Sequence, residues 1–346
     1  MRMARLRIPE DRAAGYYHCI SRVVDRRFIF GAPEKEHFIA LLREYERFCR
    51  VRVLTFCIMS NHFHVLVEVP KRPDSLPGPE EILAELRLLS GTHFVEAIRQ
   101  RFEMFQAAND AEGLAAYLAT FHARMYDVSA FMKLVKQRFT QWYNRRVGRK
   151  GTLWEDRFRS VLVEGAGDAL VTMAAYIDLN PVRAGLVKDP KDYRWSGYGE
   201  AMAGRKRARG GLQFVVTALR HGKEEAAGRS LETYRRYLYL EGDARRESTG
   251  RDGRLVRGAL SAEDVEAVLK AKGKLPLSAY LRCRVRYFCD GAVFGGREFV
   301  EGIYRAYRSR FGGKRTTGAR AMRGLEKPGL FTLRALRVGV FGPAGG

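Results

Sequence analysis

Two histidines, His62 and His64, stand two residues apart in the run HFHVLVEV at 62–69. On a strand, successive side chains alternate between faces, so both imidazoles project from one face while Phe63, Val65 and Val67 project from the other. Two neutral imidazoles on one face can share a divalent cation. The spacing alone is commonplace, but the chain has only seven histidines and two of them share this strand. A second segment, AAYIDLNPVRAGLV at 174–187, carries Tyr176 and Asn180. On a helix starting at Asp168 they are i and i+4, hence neighbours. Leu170, Ala174 and Ile177 form a separate apolar stripe that would hold this helix to a sheet. The amide oxygen of Asn180 can complete a site with the imidazoles, and a cation there would polarise a phosphate oxygen beside the phenol. Tyrosine ordinarily titrates near ~10, so nearby positive charge should help it react; no proton acceptor is legible. Tyr143, in QRFTQWYN, is a rival nucleophile, but its i+4 neighbour Val147 cannot bind a metal.

The elements that must position these groups follow from periodicity. YYHCISR at 16–22 predicts a first strand, and Pro33–Phe48 has apolar Phe38, Leu41, Leu42, Tyr45 and Phe48 at helical spacing. RVLTFCIM at 52–59 and the histidine strand are close enough to make a hairpin. A helix capped by Ser129 carries Phe131, Leu134, Val135 and Phe139. A strand follows at about 160–164, then a helix from Asp168 that Pro181 must end. Setting aside a helical hairpin inserted at about 74–128, the order is β-α-β-β-α-β. That is the ferredoxin-like split pattern, an α+β fold with an antiparallel sheet and helices on one face. The histidine face would then be the open face. The glycine- and arginine-rich run at 201–211 predicts a basic linker between a domain at 1–200 and a mostly helical one at 212–346. All proposed ligands and the nucleophile precede residue 181, so the later domain is expected to supply DNA affinity rather than chemistry.

Composition narrows the partner. The 62 Lys+Arg against 39 Asp+Glu give net +23, a surplus that points to a polyanion. From 133 to 159 the net charge is +7, with Trp142, Trp154 and Phe158 interleaved. Charge for phosphates and aromatic faces for unstacked bases suit single strands and hairpin tips. The candidate DNA contacts are Arg138, Arg145, Arg146, Arg149, Lys150, Trp154, Arg157 and Arg159. A second basic stretch, 297–337, has net charge +8. No run approaches the ~20 apolar residues of a membrane helix, so no membrane partner is expected. Five cysteines at unrelated spacings predict free thiols in a reducing compartment. The expected location is the cytoplasm, in association with the nucleoid.

With these segments in view, the chain resembles the REP-associated tyrosine transposases, within the HUH single-tyrosine transposase superfamily. The resemblance is carried by MSNHFHVLVEVP (59–70), RFTQWYNRRVGRKGTLWEDRFRS (138–160), YIDLNPVRAGLV (176–187) and YRWSGYGE (193–200). It covers about 16–200, and DGAVFGGREFV (290–300) looks like the C-terminal extension of a long-chain subgroup. It implies an HUH nuclease core in which His62 and His64 bind Mg²⁺ or Mn²⁺, with Asn180 as the third protein ligand. It further implies that Tyr176 attacks a phosphodiester in single-stranded DNA, leaving a 5′-phosphotyrosine and a free 3′-OH. Reversal would join strands without ATP, as in DNA transposition at hairpin-forming repeats.

Rival readings stay in view. They are a non-catalytic, domesticated nucleic-acid-binding regulator on this fold, another HUH enzyme such as a relaxase or replication initiator, and a metal phosphodiesterase that uses water. RNA as a further partner is open, as are monomer versus homodimer and the DNA sequence recognised.

Overall fold

In the computed structural model, residues 5–7, 9, 12–219, 227–242, 286–311, 315–322 and 329–334 are described. β1 (Ala14–Arg22), β2 (Arg52–Ile58), β3 (His62–Pro70) and β4 (Arg159–Val163) form one side of a sheet, ordered β2-β3-β1-β4 from its edge. All three of those pairings are antiparallel. With α1 (Ala32–Phe48) between β1 and β2, and α5 (Val128–Val147) before β4, this is the expected ferredoxin-like arrangement. β2 and β3 make the expected hairpin, closed by Met59 N–H donating to the His62 carbonyl at 2.9 Å.

Each strand feeds two cores. Tyr17, Cys19, Val53, Phe56, Phe63, Val65, Val67 and Leu162 pack with Phe38 and Leu42 of α1 and with Phe131, Val135 and Phe139 of α5. Leu54, Cys57, Leu66, Val161 and Val163 pack on the other face with Leu170, Ala174 and Ile177 of α6 (Gly167–Asp178). The face expected to be open beside the histidines is therefore covered. α6, α8 (Gly197–Met202) and α9 (Lys206–Leu219) all lie against β2.

Several local expectations change. The insertion is three helices, α2 (Pro79–Leu89), α3 (Thr92–Ala107) and α4 (Ala111–His122), not a hairpin. The break falls at Ser90-Gly91, where both residues are extended. Asp127, not Ser129, caps α5, its carboxylate accepting from Ala130 N–H at 2.7 Å. That helix stops at Gly148, whose φ of 64° suits a residue without a Cβ. α6 ends at Asp178, and Pro181 sits in the first turn of the short α7 (Asn180–Arg183), where its missing N–H costs nothing.

The predicted linker at 201–211 is the end of α8 and much of α9. A Cβ on Gly211 would lie 2.4 Å from the Leu54 carbonyl oxygen, and one on Gly197 would lie 2.3 Å from Thr55 Oγ1. Glycine here serves close backbone approach to β2, not flexibility. The later region is not purely helical either. After α10 (Ala227–Gly242) and α11 (Arg286–Cys289), β5 (Gly291–Gly295) pairs parallel with β4. α12 (Arg297–Ala306) follows, and β6 (Arg320–Ala321) and β7 (Phe331–Arg334) complete one seven-stranded sheet. The free edge that β4 would otherwise present is thereby paired. Cys19, Cys49, Cys57 and Cys289 are free thiols; Cys283 lies outside the described residues. No described helix is long and apolar enough to cross a membrane.

Candidate active site

His62 and His64 lie at the start of β3 on the α6 side, with ring centroids 5.1 Å apart. Hydrogen bonds fix which nitrogen of each ring carries the proton. His18 Nδ1 lies 3.0 Å from the Phe288 carbonyl, which can only accept, so His18 donates there. The other nitrogen of that neutral ring, Nε2, must then accept, and its partner at 2.9 Å is His64 Nδ1. His64 therefore carries its proton on Nδ1 and presents a lone pair at Nε2. At His62, Asn61 does the equivalent work. Its Nδ2 donates to the Arg26 carbonyl at 3.0 Å, which turns its Oδ1 toward His62 Nδ1 at 2.7 Å. His62 also keeps a lone pair at Nε2.

Burial holds all three rings neutral. It pulls His18 down to about 3 and His62 down to about 4, the latter helped by the positive charges of Arg22 and Arg183. His64 falls well below the ordinary range, through burial first and then its neighbours His62 and His18. Neutral imidazoles whose second nitrogen is engaged in a hydrogen bond are the usual form of metal-ligating histidine. Two such rings at this separation fit one cation at metal–nitrogen distances of ~2.1 Å. Among the described residues, no group of three His, Cys, Asp or Glu side chains could hold a metal.

Tyr176 is brought to His64 and His18. Its ring lies 5.8 Å from those of His64 and His18, edge-on to both. It is 1% exposed, stacked on Phe288 at 4.6 Å, with the Arg183 guanidinium 4.0 Å from its ring centre. Its hydroxyl shares a 2.8 Å hydrogen bond with Cys289 Sγ. Burial pushes the phenol well above its ordinary range, with the Arg183 charge opposing that rise. Asn180 is one turn on, as the sequence predicts. Its Nδ2 donates to the carbonyls of Tyr176 and Ile177 at 3.0 and 3.2 Å, and its Oδ1 accepts from Arg183 at 2.6 Å. Tyr143 stacks on Phe139 of α5, on the opposite side of the sheet.

Sequence reasoning missed four contributors. His18 sits in YYHCISR, and only the pairing of β1 with β3 sets it opposite Leu66, diagonal to His64. Arg183 lies in YIDLNPVRAGLV, in the turn that follows Asn180. Phe288 and Cys289 come from α11, more than a hundred residues after Tyr176, and nothing local signals them. They also change the role expected of the later region, since it covers the proposed nucleophile.

The basic candidates divide. Arg145, Lys150 and Arg157 are exposed. Arg138 donates to Tyr45 Oη at 2.9 Å, Arg146 pairs with Glu34 at 3.8 Å, and Arg159 pairs with Asp290 at 3.2 Å. Arg149 is folded back onto the Thr152 carbonyl at 2.8 Å. Trp154 is not a base-stacking surface. It is 7% exposed, packed on Phe63, with its indole N–H donating to Thr140 Oγ1 at 2.9 Å.

Residues 12–76 match the family model of IS200-like transposases. That IS200-like segment spans β1 through β3 and so holds His18, His62 and His64, and it supports a transposase role; it ends before the tyrosine helix. No curated protein matches the chain. A solved structure of a REP-associated tyrosine transposase bound to a REP hairpin is similar over 58% of this chain and 87% of that one, at 15% identity and a TM-score of 0.36.

Proposed function

We propose that the protein is a divalent-metal-dependent single-stranded DNA endonuclease and strand transferase, acting on hairpin-forming repeats in DNA transposition. The observation that carries this reading is the packing of Tyr176 against His64, one of two neighbouring imidazoles that each keep a lone pair at Nε2. His62 and His64 would hold Mg²⁺ or Mn²⁺. An amide oxygen has two lone pairs, so Asn180 Oδ1 could serve as third ligand while still accepting from Arg183. Nitrogen ligands suit Mn²⁺ better than Mg²⁺. When bound, the ion supplies Lewis-acid polarisation of a phosphate oxygen.

The chain's own groups would do the rest. The Tyr176 hydroxyl must leave Cys289 and lose its proton, and the Arg183 guanidinium beside the ring favours the phenolate. The phenolate oxygen then attacks phosphorus, the P–O3′ bond breaks, and the departing 3′ oxygen keeps the electron pair and takes up a proton. The products are a 5′-phosphotyrosine and a 3′-OH, and the reverse reaction joins strands. Exposed Arg145, Lys150 and Arg157 would neutralise flanking phosphates. The burial of Tyr176 favours one second reading, a DNA-binding regulator on the same fold.

The two readings separate in one assay. A hairpin-bearing single strand incubated with protein and Mn²⁺ should give a denaturation-resistant protein–DNA band that EDTA abolishes. Binding with no band in either metal would support the regulator. Cleavage without a band would mean that water is the nucleophile.

A further inference from the structure

The connection between β1 and α1 enters the site described above only through the Arg26 carbonyl, yet it is held with unusual firmness. Asp25 and Arg26 both adopt the left-handed conformation, at φ 55° and 54°. Side chains bearing a Cβ rarely do so, and they persist there only where the surroundings hold them. Here the surroundings do. Val23 N–H donates to the Asn61 carbonyl at 2.9 Å, Val24 N–H to the Leu153 carbonyl at 2.9 Å, and Phe30 N–H to the Ser60 carbonyl at 3.0 Å. Asn61 Nδ2 donates to the Arg26 carbonyl at 3.0 Å, while its Oδ1 holds His62 at 2.7 Å. One amide thus ties the loop to the proposed metal ligand.

What this strained loop presents is Phe28, preceded by Arg26 and Arg27, all three exposed. At 80%, Phe28 has the greatest exposure of the large hydrophobic side chains among the described residues. A singly exposed apolar residue is ordinary on any protein surface. One that directly follows two arginines on a pinned loop, itself tied through the Asn61 amide to His62, is a presented group.

We propose that Phe28 is a stacking platform for an unpaired base next to the phosphate that reacts at His62 and His64, with Arg26 and Arg27 on the adjacent phosphates. This rests on the reading of the protein as a single-stranded DNA enzyme. Stacking on an aromatic ring requires an unstacked base but no particular sequence. A duplex, whose bases already stack on each other, offers no such face. The net charge of +23 disfavours a second copy of this chain as the occupant.

The test uses the full chain and two fluorescent probes at low salt, a 30-nucleotide single strand of randomised sequence and a duplex of the same length. Phe28→Ala should weaken single-strand binding about tenfold or more. It should leave duplex binding, the thermal midpoint and the slope of log affinity against log salt unchanged, because it removes no charge. Arg27→Ala should instead lower that slope by up to ~0.7. Phe28→Trp should restore affinity, and its added indole emission should be quenched by the single strand and not by the duplex. Single-strand binding by Phe28→Ala equal to wild type, or an equal loss for both probes, overturns the proposal. So does a changed sedimentation coefficient of the DNA-free variant, which would mark a self-association surface. A wild-type protein that binds neither probe sinks the single-stranded DNA reading along with it, whereas tight wild-type binding that Phe28→Ala does not alter removes Phe28 alone.

Discussion

Phe63 and His64 are neighbours in the chain and fully or nearly buried, yet they belong to different kinds of interior. Phe63 faces α1 and α5, among Phe38 and Trp154, where burial needs only hydrocarbon and shape. His64 faces α6, where polar groups are buried and almost all are answered by hydrogen-bond partners: His18 for His64, Phe288 for His18, Thr55 and Tyr234 for Asp178. A buried polar group without a partner is costly, so most of the polar groups buried on such a face are found hydrogen-bonded. Both faces of the sheet carry a hydrophobic core, and the α6 face also buries the polar groups of the proposed site.

The strongest way to break this contrast is to truncate the two neighbours separately. Phe63→Ala should cost about 3–5 kcal/mol of unfolding free energy in a denaturant titration, the range for a large aromatic removed from a core. His64→Ala should cost less, about 1–3 kcal/mol for leaving the His18 acceptor unmet, yet abolish Mn²⁺-dependent cleavage at temperatures where the variant is folded. If His64→Ala proves the more destabilising, or Phe63→Ala loses activity while staying folded and stable, the division between the faces is mistaken.

A smaller effect sharpens the same contrast through pH. Asp178 is fully buried and accepts from Thr55 Oγ1 at 2.7 Å, Tyr234 Oη at 2.6 Å and Tyr198 N–H at 3.3 Å. Burial pushes its carboxyl up to about 7, and the three donors limit the rise. In the unfolded chain an aspartate titrates near ~3.9. The folded state therefore binds the proton more tightly, so this group's contribution is fully present below about pH 4 and is lost as pH rises through 7. Unfolding free energy measured from pH 4 to 7 should fall in wild type more steeply than in Asp178→Asn. Parallel profiles would mean that the donors keep Asp178 ionised throughout.

Much of this was legible because it is local. The alternation of HFHVLV sorts Phe63 from His64 without any knowledge of partners, and the i, i+4 relation of Tyr176 and Asn180 needs only a helix. The strand order followed from the sequence of elements. What was illegible is what pairing at a distance creates. His18 joins His64 only through the β1–β3 register, and Phe288 and Cys289 reach Tyr176 only because β5 adds to the edge of β4. Gly211 misled for a related reason, since a glycine demanded by the Leu54 carbonyl looks the same in sequence as one in a flexible linker. Trp154 sits amid basic residues but is claimed by Phe63 and Thr140, a contest the local sequence does not decide.

The central claim is that Tyr176 and no other residue becomes joined to DNA. The most direct measurement is to trap the covalent product formed on a hairpin-bearing single strand in Mn²⁺, digest both components, and locate the nucleotide-bearing peptide by mass spectrometry. The account predicts a 5′-phosphate on Tyr176, absent from Tyr176→Phe protein that still binds the strand. A nucleotide on Tyr143, or an adduct that survives Tyr176→Phe, would contradict it.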